Sequence, residues 1–80
     1  MSHAQSLVRA LNALTKLPQF SYRTARAAAR QDENVDWPRT KAHNDGFNVE
    51  VDGCETFVMR DGSQCQWMPG SNSYVARPPR

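Results

Sequence analysis

Apolar residues near the start of the chain recur at spacings of three and four, with polar residues at most of the positions between them. This period places the apolar side chains on one face of an α-helix. Ser2 and Gln5 fit a capping box at the start of that helix, and Pro18 follows its end. We therefore predict a first helix over residues 3–16. Its apolar face consists of Ala4, Leu7, Val8, Leu11 and Leu14.

A second helix is predicted over residues 21–31, where Ser21 can cap the first turn and Phe20 can pack back against it. The helical period divides this segment into two faces. The small apolar face, suited to close helix packing, consists of Tyr22, Ala25, Ala28 and Ala29. The opposite face carries three basic residues, which we call the arginine stripe: Arg23, Arg26 and Arg30.

Residues 32–46 are mostly polar and are interrupted by Pro38. We predict a connection here, with room for one further helical turn around Asp32–Asp36. Trp37 is expected to anchor the connection to the core. The sequence Asn44-Asp45-Gly46 is typical of a turn before the next element.

From Phe47 onward the apolar residues alternate with polar ones, which is typical of β-strands with one buried face. Asp52-Gly53 and Asp61-Gly62 each indicate a two-residue hairpin turn. Residues 47–76 are therefore predicted to form a small antiparallel β-meander of three to four strands, followed by a flexible tail over residues 77–80. The predicted fold class is α+β, a single domain over residues 1–80 with two N-terminal helices packed on the meander in the order ααβββ.

Two-residue turns also predict which side chains share a sheet face, because side chains alternate along each strand. The predicted core face consists of Phe47, Val49, Val51, Cys54, Thr56, Val58, Cys65 and Trp67. The opposite face is mostly polar but includes Phe57, Met59 and Met68. We predict that these three residues form an apolar partner-binding patch. The alternative is that the connection around Trp37, or one helix, covers them.

Composition and charge restrict the function classes. Eighty residues make one small domain, and seven aromatic residues argue against a disordered chain. No apolar run approaches the roughly 18 residues of a membrane span, so no membrane partner is predicted. Residues 1–31 carry five basic residues and no acid, whereas residues 32–60 carry seven acids and three basic residues. Such asymmetry indicates an interaction surface. The acid-free N-terminus is also typical of an organelle-targeting segment.

Candidate catalytic and metal-ligating residues are few. In the predicted register Cys54 and Cys65 are separated by roughly 13 Å, too far for a disulfide. They are therefore predicted to be buried thiols in a reducing compartment, the cytoplasm or an organelle matrix. His3 and His43 do not complete a metal-ligand spacing with the cysteines, and His43 is expected in a solvated loop near Asp45. We predict no catalytic residue, no metal and no cofactor.

The arginine stripe is the strongest candidate for electrostatic binding, because guanidinium groups bind carboxylates and phosphates in a bidentate manner. Its partner is predicted to be an acidic protein surface, a nucleic-acid backbone, or acids of the same chain. The acidic residues that begin at Asp32 would repel a phosphate backbone and therefore favour the protein partner.

The predicted function is that of a small, non-enzymatic, intracellular binding protein. It would act as an adaptor, inhibitor or accessory subunit that docks on a larger protein or nucleoprotein assembly, with its oligomeric state left open. One alternative is a sequence-nonspecific DNA- or RNA-binding module that uses the arginine stripe. The other is an accessory subunit imported into an organelle.

Overall fold

The helices precede the strands along the chain, and the strands form one antiparallel sheet. The computed structural model describes residues 2–44 and 55–79. Its helices are α1 (His3–Leu14), α2 (Tyr22–Ala29) and α3 (Trp37–His43). The strands β1 (Thr56–Val58), β2 (Gln64–Met68) and β3 (Ser73–Arg77) lie in the sheet order β1-β2-β3. This arrangement confirms the predicted α+β class. The predicted strand over residues 47–51, the Asp52-Gly53 turn and Cys54 lie outside the described residues.

Helix α1 begins at the predicted capping box. The Ser2 side chain accepts a hydrogen bond from the Gln5 N–H at 3.3 Å, and the Gln5 side chain accepts one from the Ser2 N–H at 3.0 Å. Its apolar face is buried at Ala4, Leu7 and Leu11, and the helix packs on β2 and β3. The sequence period and the cap therefore define this element together.

Helix α2 begins at Ser21, whose hydroxyl accepts a hydrogen bond from the Thr24 N–H at 3.3 Å. Ala25 and Ala29 are fully buried, and the helix packs beside α1. Small side chains on this face allow the two backbones to approach closely, as the sequence pattern indicated.

Helix α3 lies inside the segment that was predicted as a connection. Asp36 caps it by accepting a hydrogen bond from the Arg39 N–H at 3.2 Å, and Pro38 occupies the first helical turn. Proline is tolerated there because the first N–H groups of a helix have no intrahelical acceptor. Pro38 therefore helps to begin a helix, where the sequence reasoning had treated it as a break.

The turn between β1 and β2 corrects the predicted register. Phe57 pairs with Cys65 and Val58 with Gln64, and the Met59 N–H donates to the Ser63 carbonyl at 2.8 Å. The loop therefore contains three residues, 60–62, and only Gly62 adopts a positive φ, at 86°. A two-residue type I′ turn would need positive φ at Asp61 as well. The extra loop residue shifts the pairing by one position, which exchanges the two faces of β1.

This shift moves two residues of the predicted apolar patch into the core. Phe57 and Met59 are each fully buried and belong to the same core cluster as Cys65 and Trp67. Their predicted exposure on the opposite face was wrong, because the prediction assumed the shorter loop. Met68 does lie on the opposite face, where it is half-buried. We call this opposite side of the sheet the open face.

Aromatic rings fill the core between the sheet and the helices. Trp67 lies 5.0 Å from Tyr74 and 5.7 Å from Phe20, measured between ring centroids. Phe57 extends the cluster, with its ring 6.4 Å from Tyr74 and 6.2 Å from Trp37. Trp37 thus anchors α3 to the core, in the position expected from the sequence.

Other parts of the chain cover both edges of the sheet in part. At the β1 edge, the Val58 carbonyl accepts a hydrogen bond from the Asp36 N–H at 2.8 Å, and the Val58 N–H donates to the Thr40 hydroxyl at 3.0 Å. At the β3 edge, the Asn12 side-chain amide takes the place of a neighbouring strand. Its Nδ2 donates to the Tyr74 carbonyl at 3.1 Å, and its Oδ1 accepts from the Tyr74 N–H at 2.7 Å. Such edge protection opposes strand-to-strand association.

Candidate functional site

The arginine stripe lies on α2, as predicted, but its members are engaged within the chain. Arg23 and Arg30 are exposed and Arg26 is half-buried. The Arg30 guanidinium carbon lies 5.0 Å from the centre of the Trp37 ring, a cation–π contact. All three arginines take part in further interactions within the protein. Arg30 therefore helps to hold α2 against the first residue of α3, and a partner that binds Arg30 would compete with this contact.

A second basic surface lies on the open face of the sheet. One cavity of about 620 Å³ is lined by Arg39, Ala42, His43, Val58, Arg60, Asp61, Gly62, Gln64 and Pro79. A neighbouring cavity of about 320 Å³ is lined by Gly62, Gln64, Gln66, Arg77 and Pro78. Because the two cavities share Gly62 and Gln64, they form parts of one surface, which we call the sheet groove. Within residues 2–44 and 55–79, three arginines and one carboxylate, that of Asp61, border it.

Three different elements supply the arginines of the sheet groove. Arg39 projects from α3, Arg60 from the β1–β2 loop and Arg77 from the end of β3. The strand register places Val58, Gln64 and Arg77 side by side in a row across β1, β2 and β3. Arg39 and Arg60 line the same cavity as the Val58 end of this row. Side chains in one such row point to the same face of the sheet.

Each of these arginines is oriented through its Nε atom. Arg60 Nε donates to the Glu33 carbonyl at 2.7 Å, and Arg77 Nε donates to Gln66 Oε1 at 3.1 Å. Arg39 Nε lies 3.4 Å from an Asp36 carboxylate oxygen. The terminal amino groups of a guanidinium held in this way can still bind both oxygens of a carboxylate or phosphate.

The Asp61 carboxylate, which borders the sheet groove, has its hydrogen-bond partners in Ser63 and at the start of α1. Asp61 accepts hydrogen bonds from the Ser63 hydroxyl, from the Ser63 N–H at 2.9 Å and from the His3 N–H at 3.2 Å. The Ser63 hydroxyl is itself an acceptor for the Ala4 N–H at 3.2 Å. Asp61 and Ser63 thus bind the N-terminus of α1, where a negative charge is favourable. The hydrogen bond from the Ser63 hydroxyl is the main reason that the pKa of Asp61 lies below its ordinary value.

A second perturbed group lies at the start of α2, away from the sheet groove. The Tyr22 hydroxyl donates to a Glu55 carboxylate oxygen at 3.2 Å. Burial, followed by the negative charge of Glu55, raises the pKa of Tyr22 above its ordinary value. Both causes disfavour the phenolate, so this contact is structural at neutral pH.

A third cavity, of about 440 Å³, lies between α1 and the end of α2 and has the opposite character. Asp32 and Glu33 line it, together with Gln31 and Asn34. Asp32 and Glu33, two of the acids that follow the arginine stripe, therefore line a different cavity from the arginines of the sheet groove. The third acid, Asp36, lies 3.4 Å from Arg39 Nε. Among the residues that the structure describes, the lining of the sheet groove is net positive.

The remaining candidate residues are distributed as follows. Cys65 is fully buried in the core, and the question of its pairing with Cys54 lies outside the described residues. His43 ends α3 and lines the sheet groove, so it does not lie in a loop as predicted. Within residues 2–44 and 55–79, no group of three His, Cys, Asp or Glu side chains is placed to hold a metal ion. No helix in the same two ranges is long and apolar enough to cross a membrane.

Sequence reasoning missed the sheet groove because its arginines lie 21 and 17 residues apart along the chain. Only the three-residue loop and the pairing of β2 with β3 bring them to one face. A usable signal was present in α3, where Arg39 and His43 are spaced by four residues and share a helix face. The four-residue spacing indicates a shared face only if residues 37–43 are first predicted as a helix.

Compared with known proteins, the chain matches no family model, no curated protein and no solved structure.

Proposed function

We propose that the protein is a small, non-enzymatic binding protein that docks through the sheet groove on an acidic surface of a larger protein. The observation that carries the proposal is that Arg39 and Arg60 line one cavity and Arg77 lines the neighbouring one, on the side of the sheet opposite the aromatic core. Roles as an adaptor, an inhibitor or an accessory subunit all fit such a surface.

The positive lining supports an anionic partner, since guanidinium groups bind carboxylates through paired hydrogen bonds. The anchoring of each Nε atom supports specific docking, because an oriented arginine loses less conformational freedom when it binds. We prefer the sheet groove to the arginine stripe because its arginines line a concave surface, whereas those of the stripe lie along one face of α2.

A protein partner is favoured over a single-stranded nucleic acid by the composition of the open face. Sequence-tolerant binding of single strands relies on aromatic side chains that stack on the bases. In the part of the chain that the structure describes, the open face carries glutamines, aliphatic side chains and arginine, while the aromatic rings are packed in the core.

The proposal is tested by affinity capture from a lysate of the source organism, with and without nuclease treatment. The groove variant is Arg60→Glu combined with Arg77→Glu. The matched control is Arg9→Glu combined with Lys16→Glu, because both residues are exposed on or just after α1 and the change in net charge is the same. We expect one set of proteins to be captured from both lysates by the wild type and the control, and to be lost with the groove variant. Loss of the captured proteins after nuclease treatment would instead indicate a nucleic-acid partner.

A further inference from the structure

We propose that the sheet groove binds its partner as an extended acidic segment, with acidic side chains at alternate positions of that segment. The inference rests on the proposed function and adds the conformation and charge spacing of the ligand.

The dimensions of the sheet groove support an extended ligand. Neighbouring strands lie about 4.8 Å apart, so the Cα atoms of Val58 and Arg77 are separated by about 10 Å across the three strands. Arg39 and Arg60 lie on the β1 side of this row and Arg77 lies on the β3 side. An extended chain rises about 3.3 Å per residue, so acidic side chains at positions i and i+4 are about 13 Å apart on one face. Such a pair can reach both groups of arginines.

The centre of the sheet groove suits the backbone of the same segment. Gln64 and Gln66 lie between the two groups of arginines, on the central strand β2. A glutamine amide carries both donors and an acceptor, so Gln64 can bind the N–H and C=O groups of a crossing peptide. Gln66 already accepts a hydrogen bond from Arg77 Nε, and its amide N–H groups can donate to a peptide carbonyl. The carboxylate at position i+2 would then lie over β2, within reach of the long arginine side chains on either side.

Partial cover of both sheet edges disfavours the usual route by which a sheet binds an extended peptide. An added strand needs unpaired N–H and C=O groups along one edge. On β3, the N–H and C=O groups of Tyr74 are hydrogen-bonded to the Asn12 side chain. On β1, the C=O and N–H groups of Val58 are hydrogen-bonded to Asp36 and Thr40. The open face is therefore the favoured surface for such a segment, and side chains rather than strand pairing would hold it.

The inference is tested by fluorescence anisotropy at low ionic strength with a labelled twelve-residue Gly/Ser peptide that carries three glutamates at alternate positions. A peptide of equal charge with the three glutamates in succession tests the spacing, and one with three glutamines tests the charge. A twelve-residue thymidine oligonucleotide tests the nucleic-acid alternative. These comparisons use the wild-type protein and do not depend on the folding of any variant.

We expect the alternating peptide to bind at least threefold more tightly than the consecutive one, and the glutamine peptide to show no binding. Arg60→Gln and Arg77→Gln should each weaken binding of the alternating peptide about threefold, a change of about 0.65 kcal/mol that is typical of an exposed ion pair. Arg9→Gln combined with Lys16→Gln should leave it unchanged.

Equal affinity for the two acidic peptides, indifference to the groove arginines, or tighter binding of the oligonucleotide would overturn the inference. If none of the peptides binds while capture of protein from lysate still depends on Arg60 and Arg77, the proposed function stands and only the extended acidic ligand is refuted. If capture is also independent of these arginines, the proposed function falls as well.

Discussion

Substitution of Asn12 by alanine tests whether a single side chain closes the β3 edge. The variant removes two hydrogen bonds, those between the Asn12 amide and the backbone of Tyr74. Each contributes about 1 kcal/mol net, and more if the exposed backbone group stays dry. Alanine is also the better helix former, by about 0.7 kcal/mol at most. The two effects oppose each other, and the hydrogen bonds are expected to dominate.

The expected net loss is about 1.5 kcal/mol in the free energy of unfolding. For a chain of this size that corresponds to a fall in Tm of about 6–12 °C, measurable by circular dichroism during thermal unfolding. Arg9→Ala is the matched control, because Arg9 is exposed on the same helix, and its Tm should remain within about 3 °C of the wild type. An unchanged or raised Tm for Asn12→Ala would refute the role assigned to Asn12, since helix propensity alone would then account for the result.

Three further predictions concern the β1 edge and the β1–β2 loop. Thr40→Val keeps the buried shape but leaves the Val58 N–H without its hydroxyl acceptor. The free energy of unfolding measured in urea should fall by about 1–3 kcal/mol, and an unchanged value would mean that the hydrogen bond is dispensable. Gly62→Ala places a side chain at a φ of 86° and should lower the free energy of unfolding by about 1–2 kcal/mol. Gly70→Ala, at a position with open space around it, should leave stability nearly unchanged, and equal effects of the two variants would argue against a strained loop. Because the folded-state pKa of Asp61 lies below its unfolded value, its contribution to stability is present above pH 3.8 and is lost as the pH falls through the folded pKa. The difference in Tm between wild type and Asp61→Asn should therefore shrink below about pH 4, and a difference that stays constant with pH would contradict the assignment.

The helices were the most predictable elements because their signals are local. The period of α1 and the caps at Ser2 and Ser21 are determined by neighbouring residues, and the structure contains both helices close to the predicted bounds. Helix α3 was missed because Pro38 was interpreted as a break, although the capping residue Asp36 stands directly before the helix. A cap and a proline in the first turn are a start signal when they are considered together.

The faces of the sheet were less predictable because they depend on one loop residue. Asp61-Gly62 suits a two-residue turn and also the end of a three-residue loop, and only the second is compatible with the observed pairing of Phe57 and Cys65. The choice between them has a tertiary component, since Asp61 and Ser63 also bind the first N–H groups of α1. The wrong register also made the predicted apolar patch wrong, because the exchange of faces places Phe57 and Met59 in the core.

The contacts of α1 also determine when the protein can fold during synthesis. Its first N–H groups bind the β1–β2 loop and Asn12 binds β3, across separations of 58 to 62 residues. At a translation rate of about 5–20 residues per second, roughly 3–12 s pass between the synthesis of α1 and that of its partners. During that interval the nascent helix must carry Leu7 and Leu11 without the sheet that covers them. Closure of the fold therefore has to wait for β2 and β3, and α1 lacks its partners for longer than the elements that are made after it.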